Sequence, residues 1–151
     1  MNAKEIAEKV FHAMYDNDPF SKWLGIELVN IDKGTCTLKM TLRKEMLNGF
    51  FVAHGGICYA LADSALAFAS NSHGRKCVSI ETSISHTTPV KEGDIITAVA
   101  EEINLGEKTA VYYVTVTNAS GTKVALFKGT VYRTGKEWEG EQVGKWAGEG
   151  K

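Results

Sequence analysis

Ile57-Cys-Tyr-Ala-Leu-Ala-Asp63-Ser-Ala-Leu-Ala-Phe-Ala69 is the most apolar stretch of the chain, and Asp63 at its middle is the only charged residue between His54 and His73. Ala and Leu dominate it, and neither Pro nor Gly occurs from Ile57 to Ser72, so the segment reads as a helix. Ile57, Leu61 and Phe68 share one side, while Tyr59, Ala62, Leu66 and Ala69 cover much of the rest. A helix apolar nearly all round is buried nearly all round. It is too short and too Ala-rich to span a bilayer with an acid at its centre, which makes it the core helix of a soluble domain. An ionised carboxylate there is costly unless it is paired, hydrogen-bonded or put to use, and no Lys or Arg lies close in sequence. Two readings stand at this point: a structural carboxylate held by backbone or hydroxyl donors, or a functional one.

The residues in front of the helix favour the second. Asn48-Gly49 and then His54-Gly55-Gly56 precede it, so the first helical N–H groups are unpaired donors at the positive end of the helix dipole. Gly55 and Gly56 carry no side chain to keep a ligand oxygen away. A phosphate loop is excluded by spacing, since neither a Walker Lys-Ser/Thr pair nor a Gly-x-Gly-x-x-Gly is present here. The oxygen of a polarised carbonyl fits better, because fixed N–H groups stabilise the oxyanion that forms when a carbonyl is attacked.

Eight residues separate Gly55 from Asp63, about 12 Å along a helix, too far for both to act on one carbonyl carbon within one chain. Either they belong to different sites or a second chain completes the site. Two antiparallel copies of the helix about a two-fold axis would set Asp63 of one chain beside Gly55 of the other. Ala60, Ala62, Ala65, Ala67 and Ala69 are read as the small residues that permit the approach.

Met46-Leu47-Asn48-Gly49, His54-Gly55-Gly56, Leu61-Ala62-Asp63-Ser64-Ala65 and Ala69-Ser70-Asn71-Ser72-His73-Gly74, with Asn six residues before the His and Asp nine after it, resemble the hotdog-fold thioesterases of the PaaI type, linked to phenylacetate degradation. The likeness runs from about Leu24 to Arg133 and takes in Thr88-Pro89, Gly93-Asp94 and Val124 to Gly129. It implies hydrolysis of acyl-coenzyme A thioesters at a homodimer interface, commonly in a homotetramer, with coenzyme A as part of the substrate and no cofactor or metal. By resemblance, the Gly55 N–H polarises the thioester carbonyl, and the partner copy supplies the Asp63 carboxylate as general base on water or as nucleophile. Asn48 orients the water or the carbonyl, His54 orders the loop, and Gly56 and Ser79 meet the substrate. Many relatives carry a second Gly between the Asn and the His; here Phe50, Phe51, Val52 and Ala53 stand in that interval and make the loop bulkier. A thioester needs little protonation of its leaving thiolate, so a carboxylate and an oxyanion hole suffice without a Ser-His-Asp triad. Burial is expected to raise the Asp63 pKa.

Alternating patterns over Thr35–Leu42, Lys76–Ser85, Ile95–Ile103, Thr109–Thr117 and Lys123–Arg133 read as strands, giving five or six successive antiparallel strands after the single central helix, an α+β domain. Asp32-Lys33-Gly34, Leu105-Gly106-Glu107 and Asn118 to Gly121 suit hairpins. A first helix over 3–15 shows Ile6, Val10, Phe11 and Met14 on one face, for the core edge or a subunit contact. Residues 1–134 are expected to form one domain and 135–151, Gly-rich and charged, a mobile tail, with Trp138 and Trp146 available to dock on a neighbour.

The chain has 151 residues, enough for one core without disulfides, and 17 basic against 18 acidic residues give no sign of nucleic acid or an anionic membrane as partner. Lys4, Glu5, Glu8 and Lys9 break any signal-like start, so a cytoplasmic protein is expected. Three well-separated Cys fit reduced core thiols. His54 with Cys58 is set aside as a thiolate or metal pair for want of a second ligand pair. His73 and His86 are assigned to strand ends, and Phe50, Phe51, Tyr59 and Phe68 hint at an aromatic or medium-length acyl group. Two other functions are weighed: a hotdog domain that binds acyl-coenzyme A without cleaving it, which has no use for a buried base, and an enoyl thioester hydratase, whose Asp-His spacing His54 and Asp63 do not share.

Overall fold

The computed structural model describes residues 1–138. In chain order the elements are α1 (Ala3–Tyr15), α2 (Pro19–Leu24), β1 (Glu27–Asp32), β2 (Thr35–Thr41), a short 3-10 turn (Lys44–Met46), α3 (Gly55–Asn71), β3 (Arg75–His86), β4 (Ile95–Leu105), β5 (Thr109–Asn118) and β6 (Lys123–Glu137). The strands make one six-stranded antiparallel sheet in the order β1-β2-β4-β5-β6-β3. Four strands follow α3 and two precede it, which corrects the expectation that all come after the helix: the chain lays down one edge, crosses through α3, and returns along the other.

The sheet wraps α3, as the all-round apolar character of that helix requires. Ile57, Cys58, Leu61, Ala62, Ala65, Leu66, Phe68 and Ala69 are buried against the alternate residues Leu38, Ile96, Ala98, Tyr112, Val114, Phe127 and Val131. The approach is closest at Gly129, where an added Cβ would lie 2.5 Å from Leu66 Cδ2, so any side chain there would have to displace Leu66 from its place in the core. Phe68 belongs wholly to this core, edge-on to Phe11 of α1 with ring centroids 4.7 Å apart, which removes it from the set of acyl-pocket aromatics. Helix α1 accordingly caps the core through Ala7, Val10 and Phe11.

Residues 135–137, expected in the tail, continue β6. Trp138 then docks on its own subunit, its N–H donating to the Gly74 carbonyl at 2.8 Å and its indole Nε1–H to Asn71 Oδ1 at 2.7 Å. The remainder of the expected tail, with Trp146, lies outside the described residues. Among those described, no helix is long and apolar enough to cross a membrane.

Candidate active site

The start of α3 is built by the loop that precedes it. Asn48 organises that loop around itself: its Oδ1 accepts from the Phe50 N–H at 2.8 Å and more weakly from the Val52 N–H at 3.4 Å. Its backbone N–H donates to the Val52 carbonyl at 2.8 Å, and the Phe51 N–H returns to the Asn48 carbonyl at 3.1 Å. The far end is pinned by the Ala53 N–H to the Val90 carbonyl at 2.7 Å and the His54 N–H to the Met46 carbonyl at 2.9 Å. With both lone pairs of its carbonyl oxygen engaged, the Asn48 carboxamide keeps Nδ2 donors that have no partner among the described residues.

His54 is the N-cap of α3, and its Nδ1 accepts from the Gly56 N–H at 2.9 Å. The imidazole thus engages the N–H of Gly56, the residue that the resemblance sets against the substrate. Gly55 differs: as the first helical residue it has no partner within the helix, and among the described residues nothing accepts from its N–H. The positive end of the helix dipole thus carries one free donor there, rather than two.

Asp63 sits about two turns further along α3, roughly 12 Å from Gly55 by helical rise. It is half-buried, and its carboxylate has no hydrogen bond or ion pair with any described residue. Burial pushes its pKa above the ordinary carboxylate value. The reading of Asp63 as a structural acid held by backbone or hydroxyl donors thus finds no such donors.

Around Asp63 the helix shows a single uncovered stripe, Gly56, Tyr59, Ala60, Asp63, Ser64 and Ala67, at helical spacing. This revises the expected small-residue seam. Ala62, Ala65 and Ala69 are fully buried in their own subunit, leaving Ala60 and Ala67, with the stripe's Ser64, to admit a close neighbour. Ser64 is itself tied to α2, its Oγ 2.9 Å from Ser21 Oγ.

Strand β3 runs beside the stripe in the opposite sense to α3. The Tyr59 hydroxyl hydrogen-bonds the Thr82 hydroxyl, and further along β3 the His86 ring lies over Gly55, where an added Cβ would stand 3.1 Å from Nε2. That direction carries Ser79 away from Gly55 toward the Asp63 end. Ser79 pairs in register with Val131, whose side chain is buried under the helix, so the Ser79 side chain shares that inner face. His86, assigned from sequence only to a strand end, is the residue that the structure adds to the site; the signal was not readable without knowing where β3 ends relative to α3.

The other candidates resolve as structural. Cys58 is buried with its thiol pKa raised by burial, Cys36 is pushed up to about 12 for the same reason, and all three cysteines are free. Among the described residues no group of His, Cys, Asp and Glu has the arrangement of a metal site. His73 Nε2 lies 2.6 Å from Glu102 Oε2, which also accepts from the Tyr112 hydroxyl at 2.8 Å. Burial pushes the Glu102 pKa up, but the His73 and Tyr112 hydrogen bonds outweigh it and hold the carboxyl below its ordinary value.

A thioesterase superfamily model matches residues 50–125, beginning just after Asn48. The chain is 41% identical over 134 residues to a putative esterase of Archaeoglobus fulgidus, covering 89% of this chain and 87% of that protein. It is 40% identical over 130 residues to the acyl-coenzyme A thioesterase PaaI of Escherichia coli, covering 86% and 93%. The solved structure of E. coli PaaI superposes with a TM-score of 0.88 over 90% of this chain and 99% of that one. The Streptococcus mutans protein smu.793, solved bound to acetyl coenzyme A, superposes with a TM-score of 0.73 at 30% identity, over 75% and 91%. With its six antiparallel strands wrapped on one central helix and its free donor and unpaired acid on that helix, the chain belongs to the thioesterase superfamily, as a hotdog-fold enzyme of the PaaI type.

Proposed function

We propose that the protein hydrolyses acyl-coenzyme A thioesters, of aromatic or medium-length acyl groups, at two equal sites formed between two copies of the chain. The observation that carries this reading is the half-buried Asp63 carboxylate, left without a partner on the one uncovered stripe of α3. A base is kept available there at a cost in solvation. Two α3 helices packed antiparallel along the stripe would bring Asp63 of each copy to Gly55 of the other.

The sheet edges support the same dimer. The β1 edge is blocked by Lys4, whose ammonium donates to the Ile31 carbonyl at 2.8 Å and to Asn30 Oδ1 at 3.0 Å. Strand β3, twelve residues long, forms the other edge and shows Val78 and Ile80 at 37% and 60% exposure. A long free edge that exposes two branched apolar residues calls for a strand partner, and β3 of a second copy continues the sheet across the same axis that pairs the helices. Pairing of two such dimers gives the tetramer that the resemblance implies.

In the site the thioester carbonyl oxygen accepts from the Gly55 N–H. Asp63 of the other copy either takes a proton from water as that water attacks the carbonyl carbon, or attacks the carbon itself to give an anhydride that water then opens. On either route the C–S bond breaks from a tetrahedral intermediate, coenzyme A leaves as thiolate, and acid and thiol are released. Asn48 Nδ2 directs the water or the carbonyl, His54 holds the loop, and Ser79 and His86 flank the space. The acetyl coenzyme A bound by smu.793 supports coenzyme A as the carrier.

The test is thiol release from phenylacetyl, hydroxyphenylacetyl, benzoyl and straight-chain acyl-coenzyme A. Turnover of at least one abolished by Asp63→Asn is expected. Tight binding of these thioesters with no thiol released by the wild type would instead make the protein a carrier, and hydration of an enoyl thioester without cleavage would make it a hydratase.

A further inference from the structure

Phe51 has φ +62° and is the only non-glycine among the described residues in the left-handed region. A bulky side chain takes that conformation only where the surroundings impose it. Here they do: the hydrogen bonds of Asn48, Ala53 and His54 fix the loop on both sides of Phe51. The ring gains nothing from its own subunit, being 81% exposed, and its neighbour Phe50 is 85% exposed. A glycine would take the same turn without strain. The chain instead sets two phenyl rings, uncovered by their own subunit, on an ordered loop that ends at the free Gly55 N–H, four residues on.

Resting on the reading of Gly55 as the carbonyl-oxygen donor, we propose that Phe50 and Phe51 form the acyl-recognition wall of the site, packing against an apolar acyl group of phenyl size or larger. The loop enters α3 at its Gly55 end, so both arms of a thioester whose carbonyl is held there start near the rings, and the proposal takes the acyl arm as the one that meets them. Four residues of chain span at most about 14 Å, and the turn shortens that. Ring faces offer an aryl or extended alkyl group both apolar area and stacking, and offer an acetyl group little of either. The surfaces assigned to the second copy, the α3 stripe and the β3 edge, do not require these rings.

The experiment compares kcat/KM for phenylacetyl-coenzyme A and acetyl-coenzyme A in the wild type, Phe50→Ala, Phe51→Gly and the double variant, with oligomeric state by sedimentation and Ile103→Ala, exposed on β4, as control. The expected result is a wild type that prefers the phenylacetyl substrate and a phenylacetyl-to-acetyl ratio that falls about tenfold or more in the double variant, while the control keeps the wild-type ratio. Phe51→Gly should remain an oligomer and melt no lower than the wild type, since it relieves the strained turn. An unchanged ratio, a wild-type preference for acetyl, equal losses on both substrates, or dissociation of the variants would each overturn the assignment; the last would make the rings partner contacts. A wild type that cleaves neither substrate nor any other acyl-coenzyme A would refute the proposed function itself, a separate result.

Discussion

The His86 imidazole lies over Gly55 so closely that a methyl group at position 55 would stand 3.1 Å from its Nε2. The same glycine carries the free N–H at the start of α3, so one contact joins the end of β3 to that donor. Gly55→Ala should therefore displace the ring or tilt the first helical turn. Turnover is expected to fall about 100-fold with little change in the far-ultraviolet circular dichroism. Near wild-type rates in that variant would remove Gly55 from the mechanism.

Asp63→Asn should lower kcat by about 10²- to 10⁴-fold while the oligomer persists. Its effect on stability has a definite sign. Because burial raises the Asp63 pKa in the folded protein, the folded state holds its proton more tightly than the unfolded chain. That contribution is fully present below the unfolded value and is lost as pH rises through the folded one. At pH 7 the variant should melt at or above the wild type, and the difference should shrink as pH falls toward 3.8, the ordinary value. The acid limb of wild-type kcat should likewise lie above 3.8.

Glu102 shows the opposite sign, because His73 and Tyr112 hold its carboxyl below the ordinary value despite burial. Its contribution is present at neutral pH and lost as pH falls below about 4.5, the unperturbed value. Glu102→Gln should destabilise the protein at pH 7 and progressively less in acid, followed by urea denaturation across pH. Turnover per folded molecule should hardly change, since this network is not part of the candidate site.

Ile80→Lys places a charge on the exposed β3 edge. If β3 pairs with β3 of a second copy, the variant should sediment as a monomer and lose thiol release in parallel, while keeping its strand content. A fully active dimeric variant would move the interface elsewhere.

Much of this was legible in the sequence because it rested on composition and short spacing. The α3 helix followed from an Ala/Leu run free of Pro and Gly, its burial from apolar residues all round, and the chemical interest of Asp63 from a lone acid within it. The strands from β2 onward followed from alternation, to within a few residues at their ends. Features set by tertiary placement were not legible. Helix α2 is six residues with Pro at its start and too short for a period. The loss of the Gly56 N–H to His54 depends on one imidazole rotamer, and the burial of Ala62, Ala65 and Ala69 on the angle of α3 to the sheet. His86 meets Gly55 only because β3, with bulges near Arg75 and Ser79, runs on for its full length beside the helix. The positive φ of Phe51 is imposed by Asn48 and runs against the preference of the residue itself.

The central claim is that Gly55 of one copy and Asp63 of another act on the same thioester. Mixing the two inactive variants, Gly55→Ala and Asp63→Asn, under conditions that exchange subunits measures this directly. Each mixed dimer would hold one site with both residues intact, so an equal mixture should recover about a quarter of wild-type thiol release. If exchange is shown to occur and the mixture stays as inactive as its components, the site does not lie between two copies.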